Sequence, residues 1–95
     1  MKSISFEWDA KKNIENIKKH KISFEEAKEV FYDDKAILFD DPEHSDFEDR
    51  FLIIGRIRNL NICIVSHCYK EEDGVIRLIS ARKATKKERE SYERR

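Results

Sequence analysis

Arg50-Phe51-Leu52-Ile53-Ile54-Gly55-Arg56-Ile57-Arg58-Asn59-Leu60-Asn61-Ile62-Cys63-Ile64-Val65-Ser66-His67-Cys68-Tyr69 is the stretch that decides the fold. Two apolar runs, each rich in β-branched residues, are separated only by Asn59-Leu60-Asn61, so the spacing predicts strands over 50–58 and 62–69 joined by a tight turn. Toward the C-terminus, Glu71-Glu72-Asp73-Gly74 turns the chain again into a strand over 75–82. Thr85-Lys86-Lys87-Glu88 then forms a capping box that opens a charged helix to about Arg95. Toward the N-terminus, the polar segment 40–49 with the sole proline, Pro42, reads as a loop, and Ala36-Ile37-Leu38-Phe39 as a strand.

Upstream, Ser23-Phe24-Glu25-Glu26 is another capping box, and Phe24, Ala27, Val30 and Phe31 form the buried stripe of the helix it starts, which Asp33-Asp34 ends. Asp9 offers the N-cap of an earlier helix to about His20, with Ala10, Ile14 and Ile17 on one face and charges on the others. Residues 3–8 read as a short strand. The expected order is therefore β-α-α-β-β-β-β-α: an α+β fold with a mainly antiparallel sheet, helices covering one face, and the other left partly open for binding.

A chain of 95 residues bounds this to one domain, 1–95. Its 39% apolar and 42% charged residues lean toward disorder, but clusters such as Phe51–Ile54 and Ile62–Val65 are what a folding chain shows. No apolar run is long enough for a membrane span, and the N-terminus lacks a signal-peptide core. Cys63 and Cys68 lie five apart, so strand alternation sends them to opposite faces and argues against a bridge. No Cys/His cluster has zinc spacing. These features predict a cytoplasmic protein with reduced thiols, no metal and no cofactor.

Zero net charge hides an asymmetry. Residues 33–50 carry eight acids against Lys35 and Arg50, and residues 75–95 carry eight bases against Glu88, Glu90 and Glu93. The basic end is suited to phosphates and the acidic stretch to a basic partner, although both also suit plain solvated faces.

Three groups could carry chemistry. His44, Ser45, Glu48 and Arg50 bring proton-exchanging side chains into and just beyond one loop, where ordinary turn chemistry is the plainer account. His67 shares a strand face with Tyr69 and could act as general acid or base on an open face, or simply be a satisfied core residue. Arg77, Arg82 and Lys83 occupy the last strand and its exit, where fixed guanidinium groups could stabilise the charge that builds when a 2′-hydroxyl attacks its phosphodiester. Arg77 lies in an apolar strand and so needs a solvated edge, an acid or a phosphate. Positions 77 and 82 differ in parity, so they share a face only if a bulge or the strand end near Ser80-Ala81 intervenes. The terminal helix reads mainly as a self-stabilised solvated helix, with Glu90–Arg94 as an i,i+4 pair.

Taken in order, Phe6-Glu7-Trp8-Asp9, Asn16, Lys19-His20 and Ile22-Ser23-Phe24-Glu25-Glu26-Ala27 resemble the opening of BrnT-family toxins. Val30-Phe31, Asp40, His44-Ser45, Glu48, Arg50 and Ile54-Gly55 resemble the middle, and Ile76-Arg77-Leu78-Ile79-Ser80-Ala81-Arg82-Lys83-Ala84 with Glu88 and Tyr92 the end. This resemblance implies a RelE-like fold and a metal-independent ribonuclease toxin that cleaves RNA and arrests growth. It also implies a BrnA-type ribbon-helix-helix antitoxin as partner, in a heterotetramer or larger complex, with operator DNA contacted through the antitoxin. Carried over by position, it points to His44, Glu48, Arg50, Arg77 and Arg82, with Lys83 and Tyr92 as RNA-binding support. His67 joins the catalytic candidates on chemical grounds. The rival readings are a BrnT-like interaction module without activity and a DNA-binding co-repressor that uses the basic C-terminal helix.

Overall fold

The computed structural model describes residues 4–44, 49–70 and 74–94, with the side chain of His44 outside that description. In chain order the elements are β1 (Ser5–Glu7), α1 (Ala10–His20), α2 (Phe24–Ala27), β2 (Ile37–Asp40), β3 (Phe51–Arg56), β4 (Ile62–Tyr69), β5 (Val75–Lys83) and α3 (Lys86–Glu93). This is the expected order. The second helix is shorter than its stripe suggested and continues as a 3-10 helix over Lys28–Tyr32, and another 3-10 turn spans Pro42–His44.

Local signals place the helices. The Asp9 carboxylate accepts from the N–H groups of Lys11 and Lys12 at the start of α1. Ser23 with Glu26, and Thr85 with Glu88, form reciprocal capping boxes that satisfy otherwise orphaned donors at the starts of α2 and α3.

The sheet order is β1-β5-β4-β3-β2. Strands β2 to β5 form an antiparallel meander, and β1 adds to the outer side of β5 in parallel. One face buries Ile53, Cys63, Val65, Ile76, Leu78 and Ala81 against Ile22, Phe24, Ala27 and Val30. Gly55 lets the 3-10 helix approach closely, since a Cβ there would stand 3.1 Å from Val30 Cβ and 3.3 Å from Ala36 Cβ.

Two expectations are corrected. The helices do not all lie on one face: α3 packs on the other, where Tyr92 joins Ile54, Ile62 and Ile64 in a second core. Tyr92 is the one large apolar side chain of α3, and those alternating isoleucines are the apolar seat that α1 and α2 leave uncovered. Its hydroxyl also donates to the Asp33 carboxylate, which accepts the Arg56 N–H at 2.7 Å and so ties α3 to the rim of the sheet.

The apolar stripe of α1 is not buried either: Ile14 is 55% and Ile17 41% exposed. Polar groups dock this helix instead. Because β1 pairs with Val75–Arg77, the outer edge of β5 beyond Arg77 has no strand beside it among the described residues, and Asn16 bonds that backbone at Ala81. Asn13 accepts from the Phe24 N–H at 2.8 Å.

Candidate functional site

The register between β4 and β5 slips by one residue. Ser66 stands opposite Ser80, whereas His67 stands opposite Leu78, leaving Ile79 as the extra residue of a bulge. Arg77 therefore lies opposite Cys68 and Arg82 opposite Ile64, two β4 positions of the same parity. The bulge brings both arginines to the face that carries α3. They are four β4 residues apart, about 13 Å along the strand.

Each guanidinium is half exposed and held by a carboxylate. Arg77 Nη1 lies 2.8 Å from Glu7 Oε2, and Lys70 Nζ approaches the same oxygen at 3.5 Å. The hydrogen bond from Arg77 lowers the Glu7 pKa, and the reciprocal contact raises that of Arg77. Arg82 grips Glu88 with both arms of its fork, at 2.8 and 3.0 Å. Glu88 also accepts the Thr85 N–H, and these contacts, Arg82 foremost, pull its carboxyl down to about 2. Both acids are ionised at neutral pH, so the arginines are oriented and charged.

Arg50 immediately precedes β3, and its carbonyl accepts the Asp41 N–H at 3.0 Å. Phe51 is paired with His67, so one residue back Arg50 is level with Cys68, and alternation from Phe51 assigns it to the face of Arg77. The two arginines are separated by two strand spacings, about 10 Å. Arg50 also lines a shallow cleft with Asp40, Pro42, Asp49 and Phe51, where the acidic loop enters. Glu48 and the side chain of His44 lie outside the described residues.

The remaining candidates are placed elsewhere. His67 faces α2 and the 3-10 helix, on the side of the sheet opposite the arginines, and is fully buried. Its Nδ1 lies 3.2 Å from the Val65 carbonyl and so carries the proton, which leaves Nε2 to accept from the Tyr69 hydroxyl at 3.2 Å. Burial lowers its pKa, so the ring is neutral at neutral pH. Tyr92 is a core residue, 4% exposed, with Arg56 over its ring. Lys83 is exposed but alternates with Arg82 and is opposite Cys63.

The candidates omitted Glu7, Lys70 and Glu88, the charged partners of the arginines. A signal existed for Glu7: an acid between Phe6 and Trp8 in one strand and Arg77 in another apolar strand each need an opposite charge, and pairing them satisfies both. Among the described residues, no group of three or more His, Cys, Asp or Glu side chains converges as metal ligands would. Cys63 and Cys68 form no disulfide and are buried on opposite faces. Among those residues, too, no helix is long and apolar enough to cross a membrane.

Comparison with known proteins adds the family. A search of curated proteins gives no match. Among solved structures, the crystal structure of the Brucella abortus ribonuclease toxin BrnT superposes with a TM-score of 0.67 at 24% sequence identity, covering 88% of this chain and all of that one. That likeness establishes the fold. The family model described as "Ribonuclease toxin, BrnT, of type II toxin-antitoxin system" matches residues 8–88. With most of its length matched in this way, the chain belongs to the BrnT ribonuclease toxins of type II toxin–antitoxin systems.

Proposed function

We propose that this chain is a growth-arresting ribonuclease that works without a metal or cofactor and binds its RNA across the sheet face bearing Arg50, Arg77 and Arg82. One observation carries the reading: the bulge at Ile79 sets Arg77 and Arg82 on the same face, each half exposed and already oriented by a carboxylate. A guanidinium held in place stabilises a pentacoordinate phosphorus without reorganising as charge develops.

In this reading the scissile phosphate sits between Arg77 and Arg50, and Arg82 holds a phosphate further along the strand. The 2′-hydroxyl attacks the adjacent phosphorus and gives its proton to a base, and the 5′-oxygen leaves with a proton from an acid. His44 and Glu48, on the loop that leads into Arg50, supply that proton transfer. His67 is left out of this reading, because it is buried on the other face. Glu7 and Lys70 are positioning residues, with Glu7 fixing Arg77 and Lys70 offsetting the acid's charge.

The partner in this reading is a BrnA-type ribbon-helix-helix antitoxin in a heterotetramer or larger complex. Operator DNA is bound through the antitoxin. The test is induced expression of the chain alone in a bacterium, beside an Arg77→Ala/Arg82→Ala variant, following growth and RNA integrity. Growth arrest with RNA fragmentation, absent in a variant shown by circular dichroism to be folded, supports the reading. Two folded, soluble proteins that leave growth and RNA untouched reject it in favour of a binding module without activity.

A further inference from the structure

Helix α1 turns toward water the side that an amphipathic helix ordinarily buries. Ile14 and Ile17 are each about half exposed, and exposed Ala10 lies one turn before Ile14, so spacings of four and three align them in one stripe. The sheet side of the helix is held by Asn13 and Asn16, so the fold makes little use of this stripe.

The frame of the stripe is cationic. Lys11 and Lys18 border it, Lys21 follows at the helix end, and Lys12 and Lys19 stand further round. Among the described residues, none of Lys11, Lys12, Lys18 and Lys19 forms an ion pair. Of the two acids in this stretch, the Asp9 carboxylate is committed to the N-cap, leaving Glu15.

Isolated surface apolar residues need no explanation, but an aligned pair framed by unmatched lysines fits a partner of opposite pattern. Nucleic acid fits poorly, because aliphatic branches offer bases no stacking surface. We infer that the exposed face of α1 is the docking surface for the antitoxin, which lays an acidic amphipathic segment along it. The segment sets apolar side chains on Ile14 and Ile17 and carboxylates against Lys11 and Lys18. The inference rests on the type II family assignment and is independent of which residues cleave RNA.

The position also gives the antitoxin access to the candidate site. Only Trp8 and Asp9 separate Glu7 from α1, and Asn16 grips Ala81, the neighbour of Arg82. A chain anchored on α1 has one edge strand, β1, to cross before it covers Glu7 and Arg77.

The test is titration of the intact chain with the antitoxin of its own operon, comparing wild type, Ile14→Glu/Ile17→Glu and Lys11→Ala/Lys18→Ala. Glutamate is a good helix former and both isoleucines already meet water, so the first variant keeps its fold, as circular dichroism verifies. The expected result is at least about tenfold weaker antitoxin binding for the first variant, and a reduced salt dependence for the second. Growth arrest by either variant alone stays at the wild-type level. Undiminished antitoxin binding overturns the inference. So does a change confined to self-association, which assigns the stripe to a second copy, or one confined to RNA affinity. If wild type itself binds no antitoxin, the premise of a protein partner fails, whereas absence of RNA cleavage alone leaves the binding comparison intact.

Discussion

Asn16 closes both backbone groups of Ala81: its side-chain oxygen accepts the Ala81 N–H at 3.1 Å, and its amide nitrogen donates to the Ala81 carbonyl at 2.9 Å. The same nitrogen donates to the Ile22 carbonyl at 2.9 Å. One buried side chain thus replaces a missing strand partner just beyond the bulge that aligns Arg77 with Arg82. Asn16→Ala leaves three buried backbone groups without partners and is expected to lower unfolding free energy on the order of 3 kcal/mol. A urea melt measures this. A loss below about 0.5 kcal/mol would show that water replaces the amide without penalty.

His67 and Glu88 act in separate limbs of the pH dependence of stability, the lower limb being shared with the carboxylates of Glu7, Asp9 and Asp33, whose pKa values are also lowered. His67 is held below its ordinary pKa by burial, so the unfolded state takes up a proton first. Stability is therefore full above about pH 6.5 and declines as pH falls toward the folded pKa. Glu88 has its pKa lowered from 4.5 to about 2, so its contribution is present above 4.5 and is lost as pH falls toward 2. Chemical denaturation at stepped pH should show His67→Gln reducing only the upper limb and Glu88→Gln only part of the lower one. If either substitution flattens both, the assignment of the limbs is wrong.

Element order was legible in the sequence because each boundary carries its own chemistry: Asp9, Ser23 and Thr85 cap, Asn59–Asn61 turns, and the capping boxes close as read. The faces were not. Asn13 and Asn16 dock α1 through amides, which no count of apolar spacing detects, so Ile14 and Ile17 suggest burial they do not have. Parity alone separates Arg77 from Arg82, and only the inter-strand register reveals the extra residue at Ile79. Glu7 comes from β1, 70 residues from Arg77, and Lys70 from just past β4, so the candidate site was legible as arginines without the charges beside them.

Leu60 is a turn residue at odds with its backbone. Its φ of 73° lies in the left-handed region and its side chain is 74% exposed, while Asn59 Oδ1 accepts the Asn61 N–H to close the turn. Asparagine tolerates this conformation far better than leucine. Leu60→Asn is expected to stabilise the protein by about 0.5–1 kcal/mol, read as a higher midpoint in urea with an unchanged slope. A destabilised variant would mean that Leu60 makes an apolar contact outweighing the relief.

Arg77 and Arg82 should separate when stability and cleavage are measured together. Arg82 is bound by both arms to the residue that closes the capping box of α3, so Arg82→Ala loosens that helix as well as removing a cation. The cost is about 1 kcal/mol, typical of a well-formed but solvated pair. Arg77 meets Glu7 through a single nitrogen, and no helix depends on it, so Arg77→Ala should lower stability less than Arg82→Ala does. Cleavage should follow the opposite order. Arg77 is level with Arg50 at the end of the sheet where the loop enters, and its removal should slow RNA cleavage about 100-fold, as loss of one oriented donor does elsewhere. Arg82→Ala should weaken RNA binding and reduce its salt dependence, with a smaller effect on the rate of bound substrate. Single-turnover cleavage beside a thermal melt reads all four numbers. A stable Arg77→Ala variant that cuts at the wild-type rate would move the reaction away from this end of the sheet.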